Sequence, residues 1–578
     1  MKAKYQRITR YLPTAVFIAA SLPVAAQATV FVTDGDGNAN VVNIAAWNNT
    51  ATTITANQNA GLSTNPNPVV NVASGITITG DAGYTSVLSI TAANYTVTNA
   101  GSLSGTNHHG ILSNTNFTLT NSGTLSGGTT PGQSGVRSTL ATITNNANSF
   151  ISGTDDAINF SAAGGSITNF GTINGDSGAS SSDGIRGRNN IVINNNTNYN
   201  FFSPISGGSI TGTQYGIYAD ANVTVNNHNL ATITAINEDA IHLDGDGGTI
   251  TNNGTLTALG SSSSSDGIRG RDNLTVNNNN NYGVSLLSDP VSGGAINAAH
   301  NGIYADNYLT VTNQTRGSII GGQNGIDAGY GLDLTNDGAI TGTSVNGVHA
   351  GDGSYIVNNH DGVIYGSSNG IDIDTSVING SSNGIDIDTS EINGDSTTSI
   401  FNHGVINADG GDGVDGDSQV QIVTNDGYIY GESSAITLWG GNDEINLNDG
   451  SKIDGDIDMG NSGNDVLNFG QGQFTGEDCQ NIVWGDVYGV NTINKHNGGY
   501  AFINDTDEGF EVEAINGTDE GFEVETDTIN VHSGGLYINA DVYSNNGEDN
   551  TEIHVYRGGE IGGTGLWDAN VRGQSFKI

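Results

Sequence analysis

Of 578 residues only one is cysteine, Cys479; seven are proline and two are methionine. A lone cysteine excludes an internal disulfide framework, and its expected place is that of a small apolar residue within a coil. Basic residues are also scarce. Fifteen Lys and Arg face 59 Asp and Glu, a formal charge of −44. Four of the fifteen (Lys2, Lys4, Arg7 and Arg10) precede an apolar run at 15–20 and the small-residue site Ala26-Gln27-Ala28. That is the layout of a secretory signal peptide, cleaved after Ala28. Avoiding cysteine fits an exported chain threaded unfolded across a second membrane, where a premature cross-link would jam passage. So little positive charge excludes phosphate neutralisation on nucleic acid and polybasic docking on anionic lipid. No later run is apolar and long enough for a transmembrane helix, and no apolar pattern of period 3.6 competes for helix.

What the chain has instead is repetition. Gly317, Gly338 and Gly362 open three copies of one unit, 21 and 24 residues apart, each with an isoleucine two positions on (Ile319, Ile340, Ile364). Each copy then carries an Asn-Gly-aliphatic triplet: Asn324-Gly325-Ile326, Asn346-Gly347-Val348 and Asn369-Gly370-Ile371. Short period-two apolar runs between Gly and Asn are strands and turns. A self-similar unit of this length is a solenoid coil, which buries its apolar row only by stacking on its neighbours. The fold class is therefore all-β, a right-handed parallel β-helix of roughly 20 coils with loop insertions. Upstream the same register runs through Thr96-Val97-Thr98-Asn99, Thr118-Leu119-Thr120-Asn121, Thr142-Ile143-Thr144-Asn145 and Ser166-Ile167-Thr168-Asn169. A second marker, a small residue before an aliphatic one, recurs at Gly110-Ile111, Ala157-Ile158, Gly184-Ile185 and Gly267-Ile268. The small residue is read as permitting a tight bend, and the Asn or Asp before it as tolerating left-handed backbone.

Two coils carry insertions. DGIRGR at Asp183 returns at Asp266, and Pro204 returns as Pro290. Between these marks lie long polar stretches holding Tyr199, Phe201 and Phe202, then Tyr282, Leu286 and Leu287. Insertions on one side of a solenoid often form its binding face, so these six are the candidate contact residues; the plainer alternative is that they fold back over the coil. SSNGIDIDTSVING at Ser367 repeats almost verbatim at Ser381, and TDEGFEVE at Thr506 repeats at Thr518. Neither duplication has an evident physical reason.

Residues 439–472 read WGGNDEINLNDGSKIDGDIDMGNSGNDVLNFGQG, and RGGEIGGTGLWDANVRG follows from Arg557. With the N-x-G-[ST]-[IL] coils, this resembles the pectin-lyase-like passenger of autotransporters, the type V secreted proteins of Gram-negative bacteria. The resemblance implies an exported, surface-exposed or secreted adhesin or structural spike, presenting loop-borne contacts to a host-cell or glycan ligand. It implies no enzymatic activity. It also implies a translocator barrel downstream or in trans, since none of the barrel's ten-residue strands is present. The corresponding domain plan is a signal peptide at 1–28, a cap and first coils at 29–95, regular passenger coils at 96–475 and less regular ones at 476–578. On that plan the chain stops before an autochaperone and barrel.

Chemistry is sparse. Asp155-Asp156 has the look of the carboxylate pairs of polysaccharide hydrolases, yet Asp156 falls in the same slot as Asp183 and Asp266, which marks it as a turn. GIRGR offers cations to a polyuronate, or partners to Asp183 and Asp266. His108-His109 is the one close histidine pair. Gly441-Asn442-Asp443 recurs 22 residues on as Gly463-Asn464-Asp465. Asp443 stacked on Asp465 sets like charges a strand spacing apart, which favours a calcium ion between them. Two alternatives to the adhesin remain: a carbohydrate-active β-helix enzyme, and an ice- or crystal-binding face built from the Thr-x-Thr rows.

Overall fold

The computed structural model describes 30–31, 41–44, 54–55 and most of 69–573, leaving out 73, 76, 80–85, 91–92, 106, 176–180, 201–202, 262–263, 282–291, 375–396, 471–479, 497–498, 505–522 and 546–550. The proposed signal peptide, Cys479, both duplicated segments and the last residues therefore lie wholly or largely outside the described residues. No α-helix occurs among the residues described. They form two compact units, Met1–Gly245 with Gly254–Gly260, and Asp246–Asn253 with Ser261–Ile578.

Each unit is a right-handed parallel β-helix whose turns have three strand-bearing faces. The first face follows the small-aliphatic marker, the second carries the Thr-x-Thr-Asn strands, and the third carries the Gly-Ser-Ile strands. In the first unit Ile158 pairs with Ile185, Ile185 with Ile217 and Ile217 with Ile241 on the first face. In the second unit Ile319, Ile340 and Ile364 pair in series on the third face. The third face has nineteen strands among the described residues, eight in the first unit and eleven in the second. Each strand buries alternate side chains, because successive residues point to opposite sides. Ile340, Ile364 and Ile185 have no exposed surface. Each such side chain contributes about 1.5–3 kcal/mol.

The second face ends in a buried column of asparagines. In the first unit the side-chain amide of each donates to the side-chain oxygen of the next: Asn99 to Asn121, Asn121 to Asn145, Asn145 to Asn169, all at 2.8 Å. In the second unit the column runs from Asn252 through Asn278, Asn313, Asn336, Asn358 and Asn402 to Asn425. It stops where Leu447 takes the position. The same residue explains the N-x-G motif. The Asn336 side-chain oxygen accepts the Gly338 N–H at 3.2 Å, and its amide donates to the Gly338 carbonyl at 3.1 Å. The glycine is required by proximity: a Cβ on Gly338 would lie 2.3 Å from the Gly317 carbonyl oxygen.

Within each unit, every strand pairing among the described residues is parallel except two. Thr197–Asn200 pairs antiparallel with Ser203–Gly207, and Asn280–Asn281 with Ser292–Gly293. Both insertions are thus built on hairpins that leave the coil between the second and third faces. Each is closed at its base by one backbone bond: Gly208 N–H to the Asn196 carbonyl in the first, Gly294 N–H to the Asn279 carbonyl in the second, both 2.7 Å.

Candidate functional site

The hairpins are the first candidate. Tyr199 lies on an outer strand, its backbone opposite Pro204. Phe201, Phe202, Tyr282, Leu286 and Leu287 lie outside the described residues. What the structure adds is the antiparallel pairing at the base of each insertion.

The carboxylates before the first face have a structural task. Asp156 Oδ1 accepts the Asp183 N–H at 3.1 Å, and Asp183 Oδ1 accepts the Tyr215 N–H at 3.3 Å. In the second unit Asp266 Oδ1 accepts the Asn301 N–H at 3.0 Å, and Asn301, Asn324 and Asn346 continue the series. Each side chain thereby caps the equivalent backbone position one turn on. This differs from the left-handed backbone expected of the Asn and Asp before glycine. The positive φ angles fall on other residues, such as Asn190 and Asn222. Burial raises the Asp156 carboxyl to about 6, with Asp155 adding to it. Burial, then Asp156, raises Asp183 to about 8. His109 is likewise structural: its Nδ1 accepts the Ser134 N–H at 2.9 Å, and burial lowers it to about 4.

A row that sequence reasoning missed lies on the outward side of the first face. In the first unit Arg186 sits over the Tyr218 ring, Cζ 4.5 Å from its centroid. Tyr218 stacks on His242 at 5.4 Å and 11°. Arg186 also pairs with buried Asp183 at 3.1 Å, and His242 Nδ1 with Asp239 at 2.6 Å. The second unit repeats the theme with different residues. Arg269 covers Tyr304 at 4.5 Å and pairs with Asp266. His349 Nδ1 lies 2.7 Å from Asp327. GIRGR signalled two members of this row. The others occur once each, and their alignment follows only from the register.

Asp443 and Asp465 are brought together as the repeat implies. The Asp443 N–H donates to Asp465 Oδ1 at 2.9 Å, Asp443 Oδ1 accepts the Gln421 N–H at 2.8 Å, and the Asp465 N–H donates to Asn491 Oδ1 at 2.6 Å. Both carboxylates are 1% exposed. Burial raises Asp443 to about 7, with Asp465 and Asp417 adding to it. The glycines of the two triplets have left-handed φ, +133° at Gly441 and +121° at Gly463. A Cβ on Gly463 would meet the Gly441 carbonyl oxygen at 1.5 Å, so only glycine fits the turn.

The fold and these sites define the chain as a parallel β-helix with side-chain ladders. No family model, curated protein or solved structure matches it.

Proposed function

We propose that this β-helix is a non-enzymatic adhesive scaffold, exported to the surface of a Gram-negative cell or released from it, that presents its two hairpins to a host-cell or glycan ligand. One observation carries the reading: among the described residues, the hairpins are the two antiparallel departures from the parallel pairing within each unit. The aromatic and aliphatic residues of the insertions cluster on the same segments. Replacing 198–206 and 281–292 with short Gly-Ser linkers tests it on the purified chain. The expected result is an unchanged circular-dichroism spectrum with binding to cultured cells and glycan-coated surfaces at least about tenfold weaker. Unchanged binding would place the contact elsewhere.

A second reading, a carbohydrate-active enzyme, is favoured by the outward row Arg186, Tyr218 and His242, which sets charged and aromatic groups side by side. It predicts release of new sugar ends from acidic polysaccharides, lost in His242→Ala.

A further inference from the structure

The corner between the first and second faces of the second unit holds three carboxylates and one amide. Asp417 is 6% exposed, Gln421 0% and Asp443 1%. Gln421 ties the other two together: its Nε2 donates to Asp417 Oδ1 at 2.5 Å, and its backbone N–H donates to Asp443 Oδ1 at 2.8 Å. Asp352, a third carboxylate, shares a side-chain hydrogen bond with Asp417. Two oxygens in this group, Gln421 Oε1 and Asp443 Oδ2, are buried and have no hydrogen-bond partner, and Asp417 Oδ2 has none besides Asp352. A buried acceptor without a donor costs about 1–3 kcal/mol, more when charged. Two of them on residues tied by a hydrogen bond call for a shared partner. A guanidinium or ammonium from this stretch of chain is excluded, since no Lys or Arg occurs between Arg316 and Lys452.

We propose that Asp417 Oδ2, Gln421 Oε1 and Asp443 Oδ2 bind one calcium ion, with water completing its shell. An all-oxygen donor set of carboxylates and an amide carbonyl is hard-cation chemistry, and calcium accepts irregular arrangements that magnesium does not. Among the described residues no three Asp, Glu, His or Cys side chains converge for a metal. Here the third protein donor is an amide, and Asp352 is hydrogen-bonded to Asp417. Asp465, the partner the sequence suggests, has a different role: its Oδ1 accepts the Asp443 N–H. The site is independent of the adhesive reading, because it fixes the coil and not the hairpins.

Calorimetric titration of the EDTA-stripped full chain with calcium chloride at pH 8 tests this. The expected result is a saturable heat with a dissociation constant at or below roughly 1 mM. One equivalent of binding should vanish in Asp443→Asn and Asp417→Asn while Asp465→Asn retains it. Should both Asn variants fail to fold by circular dichroism, Gln421→Met removes the amide oxygen at similar volume and is read in the same way. No saturable heat in the wild-type chain at pH 8, or an unchanged stoichiometry in any folded variant of the three donors, overturns the proposal.

Discussion

The side-chain amide of Asn336 donates to the side-chain oxygen of Asn358, 22 residues further on, at 2.8 Å with both residues fully buried. Asn336 also accepts from Asn313 and closes its own turn onto Gly338. Asn336→Ala deprives the buried Asn358 side-chain oxygen of its amide donor and the Gly338 N–H of its acceptor. The expected loss is about 3 kcal/mol, read as a lowered urea midpoint. A loss below about 0.5 kcal/mol would show that the column carries no weight.

Ile340 stands between Ile319 and Ile364 with no exposed surface. Ile340→Asp puts an unpaired charge into that row and should cost at least about 4 kcal/mol. Ile340→Val removes one methyl group and should cost about 1 kcal/mol. Equal effects from the two would contradict the burial.

These two residues mark what the sequence revealed and what it did not. The isoleucine row was legible because solenoid coils repeat an apolar residue at a nearly constant interval, and only stacking buries it. The asparagine column was not. Asn is a turn former on every local criterion, and its role appears only when an amide is supplied one turn above and one below. The hairpin insertions were legible as interruptions, whereas their antiparallel pairing was not. Asp352 and Asp417 were invisible as a pair: 65 positions separate them, and an insertion lies between. The outward row was hidden for the same reason, since Arg186, Tyr218 and His242 share no motif and meet only through register.

Asp183 gives the chain a pH dependence of definite sign. Burial raises its folded-state value to about 8 from an ordinary 3.8. A carboxyl with a raised value binds its proton more tightly in the folded state. Its contribution is thus complete below the ordinary value and is lost as pH rises through the folded one. Wild-type stability should fall between about pH 4 and pH 8. Asp183→Asn keeps the oxygen that accepts the Tyr215 N–H and should flatten that decline, gaining on the wild type at pH 8 and not at pH 4. Parallel pH profiles of melting temperature for the two proteins would contradict this.

The most direct test of the account is a distance inside the second unit. Thr312 and Asn494 occupy the same outward position of the second face, joined by seven successive in-register pairings through Thr335, Val357, Phe401, Thr424, Asn446 and Asn468. Seven strand spacings of ~4.8 Å place them about 34 Å apart. Nitroxide labels at both sites, in a Cys479→Ser background, report this by double electron–electron resonance. The stacked helix predicts one narrow distribution near 34 Å, lengthening by about 5 Å for each turn added to the spacing. A distribution centred below about 25 Å, or one with no stepwise dependence on turn number, would contradict the parallel β-helix itself.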